Sequence, residues 1–141
     1  VNAVKTENAK NKTLTQIYLK DQEWRRSTDL SDYMSGELMD SECGNYLQQI
    51  QSSQPFFAEI IVMDNRGANT ALSRKTTDYW QGDEAKFKNA YNAGKGDVFI
   101  DEIQFDDSVQ SYLTQISIPV MDENIAIGAI TFGIDMDHFQ E

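Results

Sequence analysis

Two apolar runs in the last third of the chain, joined by a short connection, constrain the fold more than any other feature. The runs cover residues 110–120 and 125–134, and residues 121–124 form a tight, polar link between them. This arrangement predicts two adjacent antiparallel strands. Side chains of the first run alternate between two faces. One face carries Tyr112, Ile116, Ile118 and Val120, and the other carries Leu113, Gln115 and Ser117.

Three more strands are predicted upstream of this pair. Residues 57–64 are apolar on both alternating sets, which is typical of a central strand that is covered on both faces. The following Asp64–Gly67 segment has the composition of a turn and leads to a second strand at 68–74. A third strand is predicted at 98–105, so the sheet has five antiparallel strands.

The rest of the chain has helical periodicity. An amphipathic stripe at Leu14, Ile17, Tyr18, Asp21 and Trp24 predicts a long N-terminal helix. A short helix and a second one at 42–52 follow, and a crossover loop at 76–82 with a helix at 83–93 links the second and third strands. The fold class is therefore α+β. We expect the long helix on one face of the sheet and the crossover on the other.

Length and charge restrict the organisation and the partners. The 141 residues fit one domain, in which residues 1–55 form an N-terminal helical segment and residues 56–141 form a sheet with a pocket. A net charge of −11 argues against a nucleic-acid partner. The single Cys43 excludes an internal disulfide and a multi-cysteine metal site, and we expect neither a metal nor a cofactor.

The order of these elements resembles a known family. The relevant residues are Phe57, Ile60, Val62, Asp64 and Gly67 at the hairpin entry, Asp78-Tyr79-Trp80 in the crossover, and the Ile127–Asp135 strand. Together with the N-terminal helix, they are similar to the Cache, or PDC, sensor domains, which are PAS-like extracytoplasmic domains of bacterial chemoreceptors, histidine kinases and cyclic-dinucleotide enzymes. The chain resembles the single-unit form of this family.

The resemblance implies several properties. The strand order would be 2-1-5-4-3, the ligand would be a small molecule, and family members work as dimers. The chain contains no run of eighteen or more apolar residues and begins at Val1, so we interpret it as the periplasmic part of a longer membrane protein. We also expect a weak homodimer through the N-terminal helix.

A ligand pocket is predicted beside the second half of the last strand. That strand carries Ala126, Gly128, Ala129, Thr131 and Gly133, and small residues inside a strand often mark the close approach of a ligand or another backbone. Polar and aromatic side chains of neighbouring segments complete the predicted cavity. These ligand-binding candidates are Arg74, Tyr79, Trp80, Asp101, Tyr112 and Gln115.

Each candidate also has a structural interpretation, and the charge of the ligand stays open. Small residues in the last strand also suit packing of the N-terminal helix, and Tyr79 and Trp80 also suit the core. Arg74 suits a carboxylate, whereas Tyr79 and Asp101 suit an amine. The predicted ligand is an organic acid, an amino acid or an amine.

Three functions compete at this point. The first is a sensor whose ligand shifts the crossover loop, the last strand and the C-terminal exit relative to the N-terminal helix. The second is an enzyme with paired carboxylates, but Asp101 and Glu102 point to opposite faces of a strand, and Asp106 and Asp107 have the character of a solvated turn. The third is a cytoplasmic PAS-like or profilin-like interaction module. We favour the sensor.

Overall fold

The structure, a computed structural model, describes residues 1–107 and 110–139. Four helices come first, then a sheet that is interrupted by one crossover helix. The helices are α1 (Asn2–Ala9), α2 (Leu14–Arg26), α3 (Thr28–Asp40), α4 (Glu42–Ser53) and α5 (Ala85–Tyr91). The strands are β1 (Phe57–Met63), β2 (Asn69–Leu72), β3 (Phe99–Ile100), β4 (Gln104–Asp106), β5 (Ser111–Asp122) and β6 (Ile125–Asp135).

The sheet confirms the predicted fold class and strand order. All pairs are antiparallel in the order β2-β1-β6-β5-β3, and β4 also pairs with β5. The predicted third strand is divided into β3 and β4, and residues 101–103 between them belong to neither strand. In that break, the Asp101 carboxylate accepts a hydrogen bond of 2.8 Å from the Glu102 amide.

The predicted single N-terminal helix is wrong in one respect, because the structure divides it into α1 and α2. Asn11 has a left-handed φ of 50°, which an α-helix cannot continue through. Thr13 then begins α2 with a capping box: its hydroxyl accepts from the Gln16 amide, and the Gln16 side chain accepts from the Thr13 amide. The left-handed residue and the capping box therefore end one helix and begin another before the amphipathic stripe starts.

The two helices also pack on opposite faces of the sheet. Alternate residues of β1 define the faces: Ile61 and Met63 point to the crossover face, and Ile60 and Val62 point to the helical face. Ile17 and Trp24 of α2 pack on the crossover face, together with Tyr79 and Phe87. Val4 of α1 and Leu47 of α4 pack on the helical face. The expectation that the whole N-terminal helix lies opposite the crossover therefore holds for α1 only.

The β1–β2 turn follows the predicted chemistry. Gly67 has a φ of 83°, and an added Cβ would lie 2.3 Å from the Cα of Gly82, so glycine is required there. The buried Asp64 carboxylate accepts hydrogen bonds from the amides of Arg66 and Ala68, at 2.8 and 3.0 Å. This turn fixes the pairing register of β1 and β2, and β2 leads into the crossover.

One part of the helical face is lined by apolar side chains and forms a groove of about 480 Å³. It lies at the end of the sheet where β1 starts and β6 stops. Its lining consists of Phe56, Phe57, Thr114, Ile116, Phe132, Ile134, Met136 and Phe139.

Within the described residues, no helix has both the length and the apolar character required to cross a membrane.

Candidate ligand-binding site

A cavity of about 400 Å³ lies between the crossover segment and the crossover face of the sheet. We call it the crossover cavity. Its floor comes from β1 and β5, its wall from residues 74–78, and its far side from the start of α5. The lining residues are Ala58, Glu59, Ile61, Arg74, Lys75, Thr76, Thr77, Asp78, Gln81, Glu84, Lys86, Asp106 and Leu113.

Hydrogen bonds from β1 and β2 hold the wall of this cavity. Ile60 and Ser73 exchange two bonds, from the Ile60 amide to the Ser73 hydroxyl at 2.7 Å and from the Ser73 amide to the Ile60 carbonyl at 3.0 Å. The buried Asn69 side chain then donates to the Thr76 hydroxyl at 3.0 Å and to the Asp78 carbonyl at 2.9 Å. The crossover segment is therefore fastened to the sheet at both ends of the wall.

Helix α2 fastens the same segment from outside. The indole of Trp24 donates to the Thr76 carbonyl at 2.9 Å. One carboxylate oxygen of the buried Asp21 accepts from the amides of Tyr79 and Trp80, each at 3.0 Å. The N-terminal part of the chain thus positions the crossover, although none of its residues lines the crossover cavity.

The crossover cavity combines both signs of charge. Arg74, Lys75 and Lys86 supply cations, and four carboxylates supply anions: Glu59, Asp78, Glu84 and Asp106. The Lys86 side chain is only 8% exposed, and its Nζ lies 3.9 Å from the nearer Glu84 oxygen, which is a loose ion pair. A lysine this deeply buried requires anionic partners.

Burial perturbs two of the carboxyl groups. It raises the pKa of Asp78 above the ordinary value, and the hydrogen bond from the Gln81 amide at 2.7 Å only partly opposes this effect. Burial likewise raises the pKa of Glu84, while the charge of Lys86 lowers it to a smaller extent. Both carboxylates would gain from a ligand cation, because an opposite charge stabilises the ionised form.

Glu59 reaches the cavity because of a glycine in the neighbouring strand. Glu59 pairs with Gly133 of β6, and an added Cβ on that glycine would lie 2.8 Å from the Glu59 Cγ. The Glu59 side chain therefore lies across the space that Gly133 leaves open. This contact explains one of the small residues in β6 without reference to the N-terminal helix.

The structure brings only one of the six predicted site residues into the lining of this cavity. Arg74 lines it. Gln115 pairs with Gly133 and belongs to the same face of β5 as the lining residue Leu113, but it is not part of the lining. Tyr79 is buried in the core beneath α2, with its ring centroid 5.6 Å from that of Trp24.

The other three predicted residues lie away from the crossover cavity. Trp80 is half-buried, and its indole donates to the Arg66 carbonyl at 2.8 Å. Asp101 lies at the β3 edge of the sheet, where its amide donates to the Gln115 carbonyl at 2.9 Å. Tyr112 is 52% exposed and packs edge-on against Phe105.

Sequence reasoning missed most of the charged lining: Glu59, Asp78, Glu84 and Lys86. One signal was available, because Glu59 is a lone charge inside the apolar strand Phe57–Met63. Such a residue requires a local polar environment. No comparable signal marks Lys86, which is buried only because α5 turns that side of the helix towards the crossover segment.

Among residues 1–107 and 110–139, no group of three His, Cys, Asp or Glu side chains is placed to hold a metal ion.

Comparison with known proteins identifies the same architecture in bacterial sensor domains. The ligand-binding domain of the Campylobacter jejuni chemoreceptor Tlp3, in complex with L-norvaline, matches with a TM-score of 0.54 at 16% identity, over 96% of this chain and 54% of that one. The sensor domain of the V. cholerae histidine kinase DctB matches with a TM-score of 0.52 at 14% identity, over 97% and 52%.

A third match is the ligand-binding domain of the Pseudomonas aeruginosa amino acid chemoreceptor PctC in complex with GABA. Its TM-score is 0.53 at 16% identity, over 94% of this chain and 62% of that one. The chain thus spans about half the length of the solved structures it matches, and the likeness establishes the fold. No protein-family model matches the sequence, and no curated protein matches it significantly.

Proposed function

We propose that the chain is an extracytoplasmic small-molecule sensor domain of a bacterial transmembrane receptor, such as a chemoreceptor, a histidine kinase or a cyclic-dinucleotide enzyme. It binds its ligand in the crossover cavity and performs no chemistry of its own. The observation that carries this proposal is a cavity with a buried lysine and half-buried carboxylates against a sheet of the sensor-domain type. In that setting, the protein is periplasmic and attached to the membrane through flanking segments.

The charge pattern favours one ligand class among the three predicted. Arg74 and Lys86 suit a carboxylate, and Asp78 and Glu84 suit an ammonium group. A ligand with both groups satisfies both sets, so we place amino acids first, ahead of simple organic acids and simple amines. The matched Tlp3 and PctC structures contain norvaline and GABA, which carry the same two groups.

A thermal-shift screen of amino acids, organic acids and amines tests this proposal, with isothermal titration for every compound that stabilises the protein. We expect Lys86→Met and Arg74→Ala to weaken binding by about tenfold or more, because each removes a charged hydrogen-bonding group. Arg26→Ala, an exposed residue outside the cavity, is the control and should bind as the parent does. Binding that is equal in all variants would exclude the crossover cavity.

Signal transmission follows from how the crossover is held. Thr76 and Asp78 line the cavity, and both accept hydrogen bonds from the Asn69 side chain. Thr76 also accepts a hydrogen bond from Trp24 of α2. A ligand that prefers one arrangement of the crossover would shift α2 and the end of β6 relative to each other. Hydrogen exchange should then change in residues 76–82 and 134–139 on ligand binding. No change in either segment, with binding confirmed, would contradict this mechanism.

Weak homodimerisation through the N-terminal helical region belongs to the same proposal. Helix α2 exposes Leu14, Tyr18 and Leu19, and Leu19 is 56% exposed. Sedimentation equilibrium should detect a concentration-dependent dimer that Leu19→Glu abolishes. Tyr46→Glu, at an exposed aromatic residue of α4, is the matched control. A dimer that survives Leu19→Glu and is lost in Tyr46→Glu would place the interface on α4 instead.

A further inference from the structure

A second cavity, of about 380 Å³, is lined by Tyr79 and shares no lining residue with the crossover cavity. It is enclosed by the end of α1, the α1–α2 linker, α2 and α3. We call it the lysine cavity, because three of the twelve basic residues of the chain line it. Its lining residues are Glu7, Lys10, Lys12, Gln16, Ile17, Lys20, Leu38, Asn69 and Tyr79.

Two of the three lysines are paired with carboxylates. Lys12 contacts Asp64 at 2.6 Å and Glu7 at 2.9 Å, and Lys10 contacts the other oxygen of Glu7 at 2.7 Å. Burial lowers the pKa of Lys12, but the hydrogen bond and charge of Asp64, with a smaller contribution from Glu7, reverse this and raise it overall. These ion pairs hold the α1–α2 linker against the β1–β2 turn.

Lys20 is the exception. Its Nζ lies 4.6 Å from the ring centroid of Tyr79, and no carboxylate of the described residues lies within ion-pair distance. Burial lowers the pKa of Lys20, and the charge of Lys12 lowers it further, while the charges of Glu7 and Glu37 oppose this in part. The Lys20 ammonium is thus partly removed from water, with the Tyr79 ring as its direct partner, while Glu7 and Glu37 act on it from beyond ion-pair distance.

Local backbone structure creates this arrangement. The left-handed conformation of Asn11 breaks the helical path between α1 and α2, and Lys10 and Lys12 of the linker line the same cavity as Lys20 of α2. The Thr13 capping box then fixes where α2 begins, and Lys20 follows two turns later. Lys10 is the most exposed of the three, with 57% of its side chain accessible, so the cavity opens beside it.

We propose that the lysine cavity binds a small oxyanion, a carboxylate or a phosphate group, with Lys20 as its principal cation. The pairing inside the cavity favours this ligand class, because Glu7 and Asp64 contact Lys10 and Lys12, and among the described residues Lys20 has no contacting carboxylate. An anion that contacts Lys20 replaces the water lost on burial with a charge-assisted hydrogen bond. Lys10, at the mouth, supplies a second and weaker contact.

The lysine cavity is separate from the crossover cavity but shares a wall with it. Asn69 and Tyr79 line the lysine cavity, and the Asn69 side chain donates to Thr76 and Asp78 of the crossover cavity. An oxyanion held by Lys20 would brace α2 and the linker against this wall. Its binding is independent of whether the crossover cavity takes the ligand proposed above.

The experiment titrates inorganic phosphate and succinate into the chain at low, constant ionic strength near neutral pH, with sodium chloride as the reference salt. We expect one saturable site, with amide chemical-shift changes centred on Lys12, Lys20 and Tyr79. Lys20→Met keeps the apolar stem and removes the charge, and should weaken binding by about tenfold or more. Lys10→Met should weaken it less.

Lys95→Met is the matched control, because Lys95 is exposed and outside the lysine cavity, and its loss changes the net charge equally. Its affinity should equal that of the parent. Melting temperatures verify that each variant is folded, and Lys10→Met tests the site even if Lys20→Met fails to fold, since Lys10 is largely exposed. No saturable binding, equal affinity of the lysine variants and the control, or shifts centred on Arg74 and Lys86 would each overturn the proposal.

Discussion

The indole nitrogen of Trp24 donates a hydrogen bond of 2.9 Å to the carbonyl oxygen of Thr76, and this bond is buried. Trp24 is 1% exposed, and its ring lies against that of Tyr79. The contact joins α2, at the start of the chain, to the wall of the crossover cavity 52 residues later. It makes the N-terminal helical segment part of the site even though that segment does not line it.

Trp24→Phe tests this contact. Phenylalanine keeps an aromatic ring in the core but leaves the Thr76 carbonyl without its donor, so we expect a loss of about 1–3 kcal/mol in the free energy of unfolding. Urea denaturation measures it. Trp80→Phe is the matched control, because the Trp80 indole donates to the Arg66 carbonyl at a partly exposed position where water can replace it. Equal losses in both variants would show that the Thr76 bond has no special weight.

Asp21→Ala should destabilise the same junction more strongly. Asp21 is buried, and one of its oxygens accepts from both the Tyr79 and Trp80 amides. Removal of the carboxylate leaves two donors unsatisfied, which should cost about 2–4 kcal/mol in urea denaturation. Arg25→Ala removes only the ion pair on the solvent side and should cost less than about 0.5 kcal/mol. A larger effect at Arg25 than at Asp21 would contradict this account.

The sheet was predictable because its signals are local. The continuous apolar run of β1, the alternation in β5 and the turn at Asp64–Gly67 specify the strands without knowledge of the partners. The paths of α1 and α2 were not predictable in the same way, because the break depends on one residue, Asn11, in a left-handed conformation. The residues before Asn11 carry little apolar pattern of their own, so the sequence does not report the change of face.

The candidate site was harder to predict than the fold. Arg74 was placed at the pocket because it enters the crossover, and it does line the crossover cavity. Tyr112 and Gln115 belong to opposite faces of β5, so no single cavity on one face collects both. Lys86 and Glu84 are charged residues at the start of α5, and only its tertiary packing shows that Lys86 is buried and that both line the crossover cavity.

The pH dependence of stability provides a third test, at Asp78. Burial raises its pKa above the ordinary 3.8, so the folded state binds the proton more tightly than the unfolded state does. The stability that Asp78 contributes is therefore largest below pH 3.8, the ordinary pKa of the group. It is lost as the pH rises through the folded-state pKa. At neutral pH, the ionised Asp78 destabilises the fold.

Asp78→Asn should accordingly increase the free energy of unfolding at neutral pH, and the gain should shrink as the pH approaches 3.8. The amide oxygen still accepts the hydrogen bond from Gln81, so the local geometry can persist. Urea denaturation at several pH values measures the difference. Asp83→Asn, at an exposed neighbour, controls for the loss of one negative charge and should show a smaller gain. A gain that grows towards acidic pH would have the wrong sign.

The contact between Gly133 and Glu59 allows a test of the cavity floor that needs no ligand. A Cβ at position 133 would lie 2.8 Å from the Glu59 Cγ, which is closer than real contacts permit, so Gly133→Ala must displace the Glu59 side chain. We expect Gly133→Ala to cost about 1–3 kcal/mol of stability through overpacking. In the Glu59→Ala background, the obstructing Cγ is absent, so the cost of the same substitution should fall by at least about half.

A double-mutant cycle in urea measures this coupling, with the m-value checked for each variant. Gly36→Ala is the matched glycine control: it lies within α3, and an added Cβ would meet nothing within 4 Å. That substitution should stabilise the protein by about 0.4–1 kcal/mol, and to the same extent with or without Glu59. If Gly133→Ala costs as much in the Glu59→Ala background as in the parent, the two side chains do not share the space. Glu59 would then owe its place in the crossover cavity to something other than Gly133.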